Sequence, residues 1–396
     1  MLSTFGVTED HQMLTGTHRF PRQDQITYGR PAAEVAQELA RAWGCSRLLV
    51  TTTRSLADGP ARAFAAELGE LCVGVFAGVG AHSPREGVIA GAAEARRTGA
   101  DLLVALGGGS VIDATKVIQL ALWADVVDAQ ALDAYRAGRG PGRVDVSKIP
   151  AGVRMIAIPT TLSAAEFTPF AGVTDVARRA KEGYTHPLLA PRAVILDPAV
   201  TLATPGQLWF STGMKAVDHA VEQLCNPQRA PYADALAADG LARLAQGLLA
   251  TKAAPQDLEA RLQCQFGMWH AIAGVGSGRG MGPSHALGHT LGGTYGVPHG
   301  ITSCVILPAV LAWTAPAAGA QQALVARALG SASAAEGVGA LVRRLGLPAD
   351  LKSAGVGRES FQAIAEHTMH DNGVRTSPRP IAGPEDLVEI LEMAAG

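Results

Sequence analysis

Hydrophobic and polar positions follow two rhythms along this chain, and the rhythm changes near Asp197. Before it, short apolar runs at 47–53, 72–76, 102–106, 154–158 and 193–196 are too brief for helices and predict strands. Between them, segments 31–43, 60–68, 85–98 and 111–124 place apolar residues three or four apart and predict helices. Strand and helix in alternation imply a parallel sheet covered on both faces. A polar stretch ahead of this pattern ends in 19–29, read as a strand or a hairpin. After Asp197-Pro198, helical periods follow one another at 205–224, 232–251, 258–275, 284–292 and 307–313, and strand candidates become scarce. The expected architecture is an α/β N-terminal domain with a parallel sheet, residues 1–197, joined to an all-α C-terminal domain, residues 198–396.

At 396 residues, 48% hydrophobic and 17% charged, the chain can bury a large core, which excludes global disorder. A net charge of −2 gives no electrostatic basis for binding nucleic acid or an anionic membrane. Cys45, Cys72, Cys225, Cys264 and Cys304 are widely spaced, with no CxxC pair. Buried thiols in a reducing compartment are therefore expected, rather than disulfides or a thiolate zinc site. The opening MLSTFGVTEDHQM lacks a basic-then-apolar pattern, so no signal peptide is expected, and no charge-free apolar stretch of about 18 residues is expected, hence no transmembrane helix. A cytoplasmic protein acting on small molecules fits these readings.

The most informative local feature is LLVALGGGSVIDATK, residues 102–116. An apolar strand runs into Gly107, Gly108, Gly109 and Ser110, and a helix opens at once. Without Cβ atoms such a turn lets a phosphate approach, and the free N–H groups of the helix start attract its charge. Ser110 can cap the helix or bond a phosphate oxygen. The spacing is not GxGxxG, so a plain tight turn explains it as well as a phosphate site does. Asp113 and Lys116 on the new helix read as solvated. Thr160, Thr161 and Ser163 follow the strand at 154–158, at the sheet edge where α/β folds bind ligands; a hydroxyl-rich turn accounts for them equally.

Histidines concentrate in PSHALGHTLGGTYGVPHG. His285 and His289 are four apart on a predicted helix and share a face, and His299 follows a Gly/Pro loop that can fold back toward them. Lys215 and His219, also four apart, share a face of another helix. Four imidazoles converging from two helices and a loop would make a metal or proton-transfer site; separate core histidines are the plainer alternative.

Together these segments resemble the iron-containing alcohol dehydrogenase superfamily, and within it the maleylacetate reductase branch. GGGSVIDATK (107–116), PTTLSAAEFTP (159–169), HPLLAPRAVILDP (186–198), GMKAVDHAVE (213–222), HALGHTLGGTYGVPHG (285–300) and SPRPIAGPEDLVEIL (377–391) carry the likeness. The resemblance implies a dehydroquinate-synthase-like fold, a cleft between the domains and a homodimer. It implies NADH or NADPH held by Gly108, Gly109, Ser110, Asp113, Thr160, Thr161 and Ser163, with Lys181 nearby. In metal-using members an Asp and three His hold a divalent cation. His219, His285 and His299 match those histidines, and His289 matches a further one near the nicotinamide that serves in proton transfer.

The position of that Asp is Lys215 here. An ammonium has no lone pair to give and repels a cation. Asp218 is not expected to replace the acid, because adjacent helical residues point about 100° apart. Thr52 and Thr53 stand where NAD-preferring members often carry Asp, so NADPH is tolerated, with Arg54 available to its 2′-phosphate. Ser163-Ala164-Ala165-Glu166 also departs from the glycine-containing pattern usual after PTT, which points to a reshaped pocket. The expectation is NAD(P)H-dependent reduction of a small acidic carbonyl compound such as maleylacetate. It needs no bound metal: Lys215 supplies the positive charge and His289 relays the proton. The alternatives are a zinc- or iron-dependent alcohol dehydrogenase, a dehydroquinate-synthase-type lyase, and a non-catalytic binding protein.

Overall fold

A computed structural model describes residues 14–138, 142–178 and 180–396. The opening stretch on which the signal-peptide expectation rests lies outside them. Six strands, β1 (Gln25–Tyr28), β2 (Leu48–Thr51), β3 (Cys72–Phe76), β4 (Leu102–Gly107), β5 (Arg154–Pro159) and β8 (Ala193–Leu196), form one sheet in the order β1-β8-β5-β4-β2-β3. Every pair in it is parallel. Each residue of β2, β4 and β8 is buried, as a sheet covered on both faces requires. One face packs on α1 (Ala32–Trp43) and α3 (Arg62–Leu68), which follows the short α2 (Arg54–Leu56); the other packs on α4 (Arg85–Thr98) and α5 (Gly109–Trp123).

In the N-terminal half one alternative is decided and one element is new. The segment 19–29 supplies a single strand, β1, laid parallel to β8 with Gln25 opposite Ala193, and no hairpin. An antiparallel ribbon, β6 (Phe170–Asp175) and β7 (Ala180–Thr185), was not foreseen. Its sequence mixes glycine and charge. Ala171, Val173 and Tyr184 pack into the core beside α5, and an ion network adds to them: buried Arg85 pairs with Asp133, Asp175 and Glu182, and Arg136 and Arg178 join the same acids.

At the junction, Asp197 accepts from the backbone N–H of Ala32 and of Ala199, both at 2.9 Å, so one carboxylate ties α1 to the chain leaving the sheet. The helices that follow are α6 (Gly206–Cys225), α7 (Pro231–Ala253), α8 (Leu258–Ala271), α9 (Ala273–Gly276), α10 (Pro283–Tyr295), α11 (His299–Ala328), α12 (Ala334–Leu345), α13 (Phe361–Thr368) and α14 (Pro384–Met393). They share one core.

Of α11 the apolar period predicts only 307–313. The helix runs from His299 to Ala328, through Pro308 and Pro316, with a kink at Ala318. It also overturns a second expectation. Residues 300–326 contain no Asp, Glu, Lys or Arg, and α11 is long and apolar enough to cross a membrane. In this fold 72% of its most apolar window is buried, against α6, α7, α10, α12 and α14, so it is the central core helix. Cys225 and Cys304 are buried free thiols, pushed up to about 12 by that burial.

Candidate active site

The cofactor side is built where β4 and β5 end together, Gly107 opposite Pro159. Gly108 caps α5, and the first turn of that helix leaves backbone N–H groups without helical partners. A Cβ on Gly108 would lie 2.9 Å from the methyl of Thr161, and one on Gly109 2.8 Å from the Ser163 hydroxyl. The two loops are thus pressed together with only backbone between them. This cradle fits a dinucleotide phosphate.

The predicted cofactor residues do not all face it. Thr52 is buried and its hydroxyl donates to the Leu106 carbonyl at 2.9 Å, so that group belongs to the sheet. The Thr53 hydroxyl is 2.9 Å from that of Ser55, at the exposed rim. Ser110 lies inside α5 rather than capping it, and its Oγ accepts from the His82 N–H at 3.2 Å. Asp113 accepts from the Gly172 N–H at 3.1 Å, and Lys181 of β7 folds its stem over Gly172, so these two tie the ribbon to α5. Lys116 is a correction: it is fully buried, not solvated, and donates to the carbonyls of Ala165 (2.6 Å) and Phe170 (2.7 Å). Burial lowers its ammonium to about 8.

Sequence reasoning missed the loop before α4. His82 and Ser83 both hold left-handed backbone, φ 59° and 54°, and Ser83 Oγ donates to the Ser110 carbonyl at 2.7 Å. Two adjacent non-glycine residues in that region have no sequence signature.

The catalytic side starts from α6, whose stripe Lys215, Asp218, His219 and Glu222 faces α10. Glu222 reaches across to cap α10: its carboxylate accepts from the N–H groups of Gly282 and Ser284, both at 2.7 Å. The same carboxylate lies 2.8 Å from His285 Nδ1, and Asp218 lies 3.4 Å from it while accepting from Ser284 Oγ at 2.8 Å. The His219 ring stacks on His285 with centroids 4.9 Å apart. Asp218 and His219 therefore both border the same ring, although they leave the helix in different directions. Glu222 was legible only as part of a quoted motif; its capping role needs α10 in place.

Gly296, at φ 68°, ends α10 and turns the chain so that His299 opens α11 beside it. His299 stacks on His289 at 5.6 Å and lies 6.1 Å from His285. His289 is 55% exposed, and its Nδ1 is 2.8 Å from Asp371. The structure thus brings together Lys215, His219, His285, His289 and His299.

Charge in this group is uneven. Lys215 keeps part of its surface open to the cleft, but burial and then Lys181 lower its ammonium to about 8. Burial takes His285 down to about 4 and His219 well below its usual value; the charge of Lys215 does the same to His299. At neutral pH these three rings are neutral and Lys215 is the cation. Burial raises Asp218 and Glu222 to about 7 each.

Residues 23–198 match iron-containing alcohol dehydrogenase, and residues 209–395 match the C-terminal region of that family. The maleylacetate reductase of Burkholderia cepacia is 33% identical over 94% of this chain and 95% of its own length. That of a Rhizobium species is 35% identical over 86% and 88%. The chain belongs to the iron-containing alcohol dehydrogenase family. It lies in the maleylacetate reductase-like branch and is an NAD(P)-dependent oxidoreductase. The solved maleylacetate reductase of Agrobacterium tumefaciens has a TM-score of 0.82 at 30% identity, covering 97% of this chain and 99% of its own. A sulfoacetaldehyde reductase from Bifidobacterium kashiwanohense, solved in complex with NAD+, shares the fold at a TM-score of 0.86 and 22% identity, covering 97% of this chain and 100% of its own.

An iron-containing dehydrogenase raises the question of a metal. His219 Nδ1 and His285 Nε2 are buried without hydrogen-bond partners, which would suit ligands. The fourth position holds an ammonium, and no anion faces the rings from it. Asp218, Glu222 and His285 also approach within 4.8 Å of one another, but their facing atoms are already spent on hydrogen bonds with each other and with the start of α10. The donor set does not fit a divalent ion.

Proposed function

We propose that this enzyme reduces the carbonyl of a small acidic substrate of the maleylacetate type, without a metal, with Lys215 in place of the cation. The observation that carries this reading is a buried ammonium among neutral imidazoles, at the position where family members bearing metal have an acid. NADH or NADPH, when bound, supplies the hydride. Gly108, Gly109, Thr161 and Ser163 would hold its phosphates against the start of α5, and the absence of a carboxylate at Thr53 leaves room for either nucleotide.

Lys215 does the electrostatic work. Its ammonium polarises the substrate carbonyl and gives a proton to the oxygen as negative charge develops there. His219 and His299, being neutral, hydrogen-bond the substrate without competing for that proton. His289, exposed on one side and stacked on His299 on the other, returns the proton from solvent. A substrate carboxylate is favoured because Lys181 adds a second positive charge to the field around Lys215.

The test is oxidation of NADH and NADPH with maleylacetate in excess chelator, for wild type and Lys215→Ala. The expected result is full activity in chelator and a loss of roughly a hundredfold or more in the variant. Activity abolished by chelator and restored by zinc or iron would return the enzyme to metal-dependent chemistry.

A further inference from the structure

We propose that Asp371 is the positioning residue for His289, fixing which nitrogen of that ring meets the reacting centre. This rests on the reading of His289 as the proton relay. Asp371 comes from 82 residues downstream, in the turn after α13, and its Oδ2 lies 2.8 Å from His289 Nδ1. Its other oxygen accepts from the Gly373 N–H at 2.7 Å, so the carboxylate is gripped by its own backbone and cannot swing away.

The turn is seated directly on α10. A Cβ on Gly373 would fall 2.7 Å from the Gly282 carbonyl and 3.1 Å from Ala286, so only glycine permits this approach. One residue beyond His289, the Thr290 hydroxyl meets that of Thr368 at 2.8 Å. Asp371 therefore has a fixed place relative to the ring it touches.

An exposed histidine on a helix surface samples several rotamers, and either nitrogen can carry the proton. Two contacts remove that freedom here. The His299 ring stacks on one face of His289, and the carboxylate takes Nδ1. A carboxylate beside Nδ1 requires a proton on it, which leaves Nε2 as the nitrogen that exchanges a proton with Lys215 or the substrate. Asp371 touches neither substrate nor cofactor in this scheme; it acts only through the ring.

Asp371→Asn separates this role from a structural one. Asn has one oxygen and one NH2, so it cannot accept from both Gly373 and His289. It still caps the turn, which keeps the fold, and its NH2 then faces Nδ1 and moves the proton to Nε2. We expect kcat to fall by roughly ten- to a hundredfold, with KM for NAD(P)H and Tm unchanged. We expect no further loss when Asp371→Asn is added to His289→Ala. Nitrogen-15 NMR of the His289 ring should report Nδ1–H in wild type and Nε2–H in the variant. Wild-type kcat in Asp371→Asn, losses that multiply in the double variant, or an unchanged tautomer would each overturn the proposal. Wild type that turns over no carbonyl would sink the reductase reading instead, and the tautomer measurement would still decide Asp371.

Discussion

An ammonium one helical turn ahead of His219 adds to the burial that keeps the rings around it neutral, and for His299 it is the main cause. Lys215 is held at about 8 by burial, so it is a cation at neutral pH and becomes neutral as pH rises through that value. Reduction that needs the ammonium is expected to be flat below about pH 8 and to drop tenfold for each further unit in kcat/KM. A pH–rate profile level to pH 10 would remove Lys215 from the chemistry. At this scale, the sequence revealed residues whose partners lie three or four positions away, or across one short loop. Lys215 and His219 share a helix face, as do His285 and His289, and the Gly/Pro turn before His299 is explicit. Partners from distant segments left no trace. Asp371 reads as one acid among many until α13 and α10 are packed, and Lys116 reads as solvated until carbonyls of the 165–170 loop close over it.

Among the elements, the loop after β5 combines backbone strain with a buried acid. Ala164 holds left-handed backbone at φ 62° without being glycine, at a cost of about 1–2 kcal/mol. Two residues on, Glu166 is fully buried with neither carboxylate oxygen hydrogen-bonded among the described residues. Burial raises its carboxyl to about 7, above the ordinary 4.5. A raised carboxyl contributes stability that is complete below its unfolded value and lost as pH climbs through the folded one. Glu166→Gln should therefore flatten the stability change between pH 4.5 and 7, by up to roughly 3 kcal/mol. Urea melts at pH 5 and 7.5 measure this; equal slopes in the two proteins would show that Glu166 does not titrate there. The strands and helices around this loop were legible because periodicity reports burial on a face. The β6–β7 ribbon was not: its few core residues, Ala171, Val173 and Tyr184, are diluted by glycine and charge, and hydropathy does not register the ion network around Arg85.

Taken whole, the molecule couples its halves through that same loop. Thr204 Oγ1 donates to the Thr160 carbonyl at 2.7 Å, the Leu162 N–H donates to Thr212 of α6 at 3.2 Å, and Phe167 stacks on Trp269 at 5.8 Å. The cradle and the helix bearing Lys215 are therefore fixed to each other by short contacts. The change of rhythm at Asp197 foretold where sheet gives way to helices, but it could not show that the loop after β5, well ahead of that boundary, is what joins them. Nor did it show α11 at its true length, because a run that is apolar on every side has no polar face to mark where the helix begins and ends.

That helix has a consequence for how the protein is made. Its uncharged run leaves the ribosome ahead of α12 and α14, which cover it in the finished fold. At ordinary elongation rates the nascent chain displays it for several seconds, at about 5–20 residues per second. During that interval the exposed run has the length and hydropathy of a membrane span. A chain stopped at Gly330 keeps that state permanently. It should partition into the pelleted or membrane fraction on expression and return to the supernatant when residues 331–396 are supplied as a second fragment; a truncated chain that stays in the supernatant alone would show that α11 needs no cover.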